Sequence, residues 1–117
     1  MYLEDELGHA QLIDLYVSSY NHILWLANTT EEAFELLNER PDIILVDVML
    51  HHTRDGLEFI RTVRREGVYI PIVVITALSS PADQDECQLA GANAILIKPI
   101  TMNQLDRIFN QYGGNNS

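Results

Sequence analysis

Short apolar runs and stretches with apolar residues at helical spacing alternate five times along the chain. Met1 to Leu3 is a brief apolar run, and Leu12, Ile13, Tyr16 and Val17 follow it at helical spacing. Ile23 to Ala27 reads as a second strand. Thr29 then offers an N-cap with Glu32 three residues on, a capping box that opens a helix through Ala33, Phe34 and Leu37. Pro41-Asp42 punctuates the entry to Ile43-Ile44-Leu45-Val46, whose unbroken apolarity is that of a strand buried on both faces. Gly56 follows a polar loop, and Leu57, Ile60 and Val63 mark a third helix. Pro71 precedes a fourth strand, Ile72 to Ile75. Ser80 caps and Pro81 starts a fourth helix, which Gly91 ends. After a fifth strand, Ala94 to Ile97, Thr101 and Gln104 form another capping box ahead of Leu105, Ile108, Phe109 and Tyr112.

Strands alternating with helices of this length predict an α/β fold, a doubly wound parallel sheet with helices on both faces. One domain is expected over residues 1–112, and 113–117, Gly-Gly-Asn-Asn-Ser, read as a flexible tail or the start of a linker. The first strand should be central in such a sheet, yet only three residues precede Glu4. Either that strand is very short or residues lie upstream of Met1.

The chain has 117 residues, 47% of them hydrophobic, enough for one self-supporting core. Its net charge of -10 argues against direct binding of nucleic acid or of an anionic membrane. Cys87, the single cysteine, falls in a helical pattern as a packed thiol and fits a reducing compartment. No apolar run has the length of a membrane helix, and acids begin at Glu4, where a signal peptide would be apolar. A cytoplasmic protein is expected.

Asp47 ends the third strand, and in a doubly wound sheet ligands bind outside the carboxyl ends of the strands. Glu4 and Asp5 follow the first strand, Thr76 closes the fourth and Lys98 closes the fifth. Each has an ordinary reading by itself: a loop-capping aspartate, a solvated acidic turn, a β-forming threonine, a surface lysine before a proline turn. Together they bring acids, a hydroxyl and an amine to one sheet edge, a site for a divalent metal and a phosphoryl group.

This joint pattern resembles a response-regulator receiver domain, the phospho-accepting module of two-component signalling. The resemblance runs from Leu3 to about Gln111 and is carried by Glu4-Asp5-Glu6, the run Pro41 to Leu50, Asp55-Gly56-Leu57-Glu58, Thr76-Ala77, Ala90-Gly91-Ala92 and Lys98-Pro99. It implies a flavodoxin-like five-stranded sheet in the order 2-1-3-4-5. It also implies that Asp47 accepts a phosphoryl group from a histidine kinase or histidine phosphotransfer protein. Asp5, Asp47 and the backbone carbonyl of Met49 would ligate Mg²⁺, with Glu4 acting directly or through water. Lys98 and Thr76 would each hold a phosphoryl oxygen. Such a domain assists its own phosphorylation and dephosphorylation but is a signalling module, not an enzyme. It acts on a downstream protein or a fused output domain, with no direct nucleic-acid or membrane binding of its own.

The chain departs from the family pattern in three places. His51 stands where receivers commonly carry proline, and Asp55-Gly56 arrive one residue late, so the loop should be longer and less restrained. His51 and His52 there read first as solvent-exposed loop histidines, and otherwise as able to tune the site near neutral pH or to bind a transition metal. Ile95 replaces the aromatic residue that turns inward on activation in many receivers. Met49 and Leu78 put apolar side chains in the two places that flank the acyl phosphate in the family, which predicts slow self-dephosphorylation. Two other readings belong to different classes. An aspartyl-phosphate phosphatase would need a second aspartate where Met49 stands, and a pseudo-receiver would bind its partner without phosphorylation.

Overall fold

A computed structural model describes residues 1–5, 11–20, 22–48 and 55–112. The elements run β1 (Tyr2–Leu3), α1 (Gln11–Ser19), β2 (Leu26–Ala27), α2 (Thr30–Leu36) with a 3₁₀ turn Leu37–Glu39, β3 (Ile44–Val46), α3 (Asp55–Arg65), β4 (Ile72–Thr76), α4 (Pro81–Ala90), β5 (Ala94–Ile97) and α5 (Met102–Tyr112). The five strands are parallel and ordered β2-β1-β3-β4-β5, as expected for a flavodoxin-like sheet.

The two-residue period of the strands sorts the core into two layers. Leu3, Ile44, Val46, Ile72 and Val74 face α2, α3 and α4, where they meet Ala33, Leu57, Phe59, Ile60, Val63, Cys87 and Ala90. Tyr2, Leu45, Val73 and Ile75 face α1 and α5, packing on Ile13, Tyr16, Val17, Leu105, Ile108 and Phe109. Cys87 is the packed thiol its helical position implies.

Helix starts follow their capping residues. Ser80 Oγ accepts the Asp83 N–H at 3.1 Å, and Thr101 and Gln104 exchange reciprocal bonds of 2.9 and 3.2 Å. At α2, Thr29 Oγ1 accepts the Glu32 N–H, but the Glu32 carboxylate bonds the Asn28 N–H and not that of Thr29, so the box closes one residue early. Gly91 ends α4 at φ 122°, a left-handed conformation that favours glycine.

The second strand is shorter than its apolar pattern suggests. Only Leu26 and Ala27 pair, because β1 offers only Tyr2 and Leu3 as partners, and Ile23 is left exposed. Among the described residues, no helix is long and apolar enough to cross a membrane.

Candidate functional site

The register of the strands brings the candidate residues together. Tyr2 lies beside Leu45 and Leu3 beside Val46, so the next pair along is Glu4 and Asp47; Asp47 donates its N–H to the Leu3 carbonyl at 3.0 Å. On the other side Thr76 pairs with Ile97, and the Lys98 N–H bonds the Thr76 carbonyl at 2.8 Å. Pleating then turns Glu4, Asp47 and Lys98 to the α1/α5 face, while Thr76 points to the other. The Lys98–Pro99 peptide bond is cis.

The side chains meet at that edge. Lys98 Nζ donates to Asp47 Oδ2 at 3.0 Å and to Glu4 Oε1 at 3.2 Å. Glu4 is 1% exposed and Asp47 7% exposed, so both carboxylates are largely withdrawn from water. Thr76, also buried, accepts the Leu78 N–H on Oγ1 at 3.1 Å, which ties the hydroxyl to the loop after β4. Asp5 follows at the same edge, half-buried.

The electrostatics follow from two acids sharing one ammonium. Burial raises the Glu4 pKa; bonds from Tyr2 and Lys98 oppose this and the Asp47 charge adds to it, with the net result upward. Burial pulls the Lys98 pKa down, but bonding to Asp47 and the charges of Asp47 and Glu4 outweigh it, so Lys98 is raised and stays cationic.

Gly56 explains how α3 reaches this edge. A Cβ there would lie 2.5 Å from the Asp47 carbonyl oxygen and 2.5 Å from Val48 Cα, so only glycine lets the helix start close against the end of β3. Ile95, partly buried, packs with Leu78 against the core layer beneath α3 and α4.

Sequence reasoning named Glu4, Asp5, Asp47, Thr76 and Lys98, and the fold gathers them at one edge. Met49, His51 and His52 lie outside the described residues. Among the described residues no three His, Cys, Asp or Glu side chains form a ready-made metal cluster. What is present is a small set of hard oxygen donors, with an ammonium offsetting two buried carboxylates. That donor chemistry fits Mg²⁺, which takes one or two carboxylates and keeps several waters. Tyr2 was missed. Its phenol donates to Glu4 Oε1 at 2.8 Å, and its place two residues before Glu4 on a strand was the available signal.

Residues 1–110 match the family described as response regulator receiver domain. The chain belongs to the response-regulator receiver family. Among curated relatives of this receiver is the response regulator MprA of Mycobacterium leprae (strain TN), 40% identical over 104 residues, which span 88% of this chain and 45% of that protein. The transcriptional regulatory protein ZraR of Escherichia coli O157:H7 is 28% identical over 88% of the chain and 23% of its own length. The chain thus spans less than half the length of these relatives. The BeF3-activated N-terminal receiver domain of Klebsiella pneumoniae RstA has a TM-score of 0.84 at 25% identity, covering 95% of this chain and 94% of that one. A putative response regulator from Chloroflexus aurantiacus J-10-fl shares the fold with a TM-score of 0.85 at 24% identity, over 97% and 95% of the two chains.

Proposed function

We propose that Asp47 is the phospho-acceptor of this receiver, taking a phosphoryl group from a phosphohistidine on a histidine kinase or phosphotransfer protein in the presence of Mg²⁺. The observation that carries the reading is the Lys98 ammonium held between Asp47 and Glu4 at the carboxyl edge of the sheet, 3.0 and 3.2 Å away.

In the step itself, an Asp47 carboxylate oxygen attacks phosphorus and forms the acyl-phosphate O–P bond while the donor's P–N bond breaks. The electron pair leaves on the donor imidazole. Charge on the three phosphoryl oxygens is offset mainly by positioning and counter-charge. Lys98 exchanges a carboxylate for one phosphoryl oxygen, and the Thr76 hydroxyl donates to another. Asp5, Asp47 and the Met49 carbonyl would hold Mg²⁺, with Glu4 acting directly or through water; when bound, the ion neutralises charge between acceptor and donor.

The output follows from Thr76. Its hydroxyl accepts the Leu78 N–H, so engaging a phosphoryl oxygen pulls on the loop after β4 and shifts populations without an aromatic at Ile95. We read residues 1–112 as the receiver proper and 113–117 as a tail or linker. The target is a downstream protein or a fused output domain. The receiver acts in the cytoplasm and, at net charge -10, without itself contacting nucleic acid or membrane.

Intact mass after incubation with acetyl phosphate and Mg²⁺ tests this. A gain of one phosphoryl group that requires both metal and Asp47, absent in Asp47→Asn, is expected. No gain in a folded protein that also fails to bind beryllofluoride would make the chain a phosphorylation-independent binding module.

A further inference from the structure

Tyr2 is fully buried, its ring packed in the layer with Ile13, Tyr16 and Leu45. Its phenol donates to Glu4 Oε1 at 2.8 Å, and the same oxygen accepts from Lys98 Nζ at 3.2 Å. Lys98 in turn reaches Asp47 Oδ2 at 3.0 Å. Three hydrogen bonds therefore run in series from the core to the proposed acceptor. The two flexible members of that series are in the middle. Glu4 has a longer arm than aspartate and Lys98 a four-carbon stem, and each loses rotamer freedom when fixed. Tyr2 is the rigid end, a two-torsion aromatic whose ring is locked by packing. Burial and the Glu4 charge raise its pKa, so the phenol remains a donor throughout the physiological range.

We propose that Tyr2 is a positioning residue of the phosphorylation site, fixing Glu4 Oε1 and, through it, the Lys98 ammonium against Asp47. The inference rests on the acceptor role of Asp47 proposed above and adds a buried support for its lysine. Preorganisation of this kind matters because small displacements of a reacting group cost rate steeply.

The test is a double-mutant cycle in the rate of phosphoryl uptake from acetyl phosphate at saturating Mg²⁺, followed by intact mass. Tyr2→Phe keeps the ring in the core and removes only the hydroxyl. Glu4→Asp keeps the charge but shortens the arm by one carbon–carbon bond, roughly 1.5 Å, which takes the carboxylate out of the phenol's reach. Tyr2→Phe is expected to slow uptake by roughly five-fold or more in the otherwise native chain. In the Glu4→Asp background it should change the rate by less than about two-fold, because the interaction it deletes is already gone. An unchanged rate in Tyr2→Phe, or the same fold-loss in both backgrounds, overturns the proposal, the second outcome making Tyr2 a packing residue. A native chain that gains no phosphoryl group on Asp47 overturns the acceptor reading and this inference with it. A native chain that is phosphorylated at the same rate as Tyr2→Phe removes the role of Tyr2 alone.

Discussion

Lys98 Nζ and Asp47 Oδ2, 51 residues apart in sequence, lie 3.0 Å apart in the fold. The ammonium is a counter-charge for two largely buried carboxylates, and its removal should register in both chemistry and stability. Lys98→Met keeps much of the stem and deletes the charge. We expect phosphoryl uptake to fall by roughly 10²-fold, the scale of losing one donor to a developing oxyanion. We also expect lower stability without metal, since Asp47 and Glu4 both lose the Lys98 cation. Mg²⁺ should then raise the unfolding temperature of Lys98→Met more than that of the native chain, by linkage. Equal metal-induced shifts in the two proteins would contradict this.

Gly56 gives a second prediction. An alanine methyl there would have to displace the Asp47 carbonyl oxygen or Val48 Cα, each 2.5 Å from its Cβ. Gly56→Ala should destabilise the fold by about 1–3 kcal/mol, as overpacking does. Chemical denaturation measures that loss, and uptake on Asp47 should slow as the end of β3 shifts.

Tyr16 supplies a pH dependence remote from the site. Its phenol donates to Asp106 Oδ1 at 3.0 Å, and burial followed by that bond raises its pKa to about 12. An acid whose pKa is raised on folding contributes stability that is fully present below its unfolded value, about 10. That contribution is lost as pH rises toward the folded value of about 12. Stability should therefore fall across this alkaline window, and Tyr16→Phe should flatten the fall. Denaturant midpoints collected across the window provide the check.

On the proposed acceptor role of Asp47, Leu78 and Met49 are expected to set the lifetime of the acyl phosphate. Leu78 is partly buried, with its N–H on Thr76 Oγ1. Met49 and Leu78 have apolar side chains that can themselves orient no water for attack, and decay should be slow. The double variant Met49→Asn, Leu78→Glu should accelerate it by roughly ten-fold or more through polar guidance of water. A decay rate that does not respond would remove these residues from the account.

Much of the site was legible in the sequence because the chemistry falls at the ends of apolar runs. Asp47, Thr76 and Lys98 each stand at the end of an apolar strand, fully buried in β3 and β4 and half-buried in β5, and parallel pairing then collects them at a single edge. Helix starts were legible at Ser80 and Thr101 for a similar reason: the cap is made by residues three apart. The pattern misled where pairing depends on a neighbour. Ile23 to Ala27 is apolar enough for a longer strand, but β1 supplies partners only for Leu26 and Ala27. The two-residue spacing puts Tyr2 and Glu4 on one face of β1, but that the phenol ends on the Glu4 carboxylate needed the side-chain geometry. Gly56 likewise reads as loop punctuation until the Asp47 carbonyl is seen against it.

Arg64 sits at the end of the sheet away from all this. Its guanidinium donates to the carbonyls of Val68, Ile70 and Gly91 and to Asn93 Oδ1, over 2.8 to 3.0 Å. One cation thereby rivets the tail of α3 to the entries of β4 and β5 and to the exit of α4. The lower ends of these elements are tied to a common point, while the Thr76–Leu78 bond leaves their upper ends coupled to the site. A rearrangement started at Asp47 is accordingly expected to swing α4 from its base, like a door on a fixed hinge, more readily than to slide it bodily along the sheet.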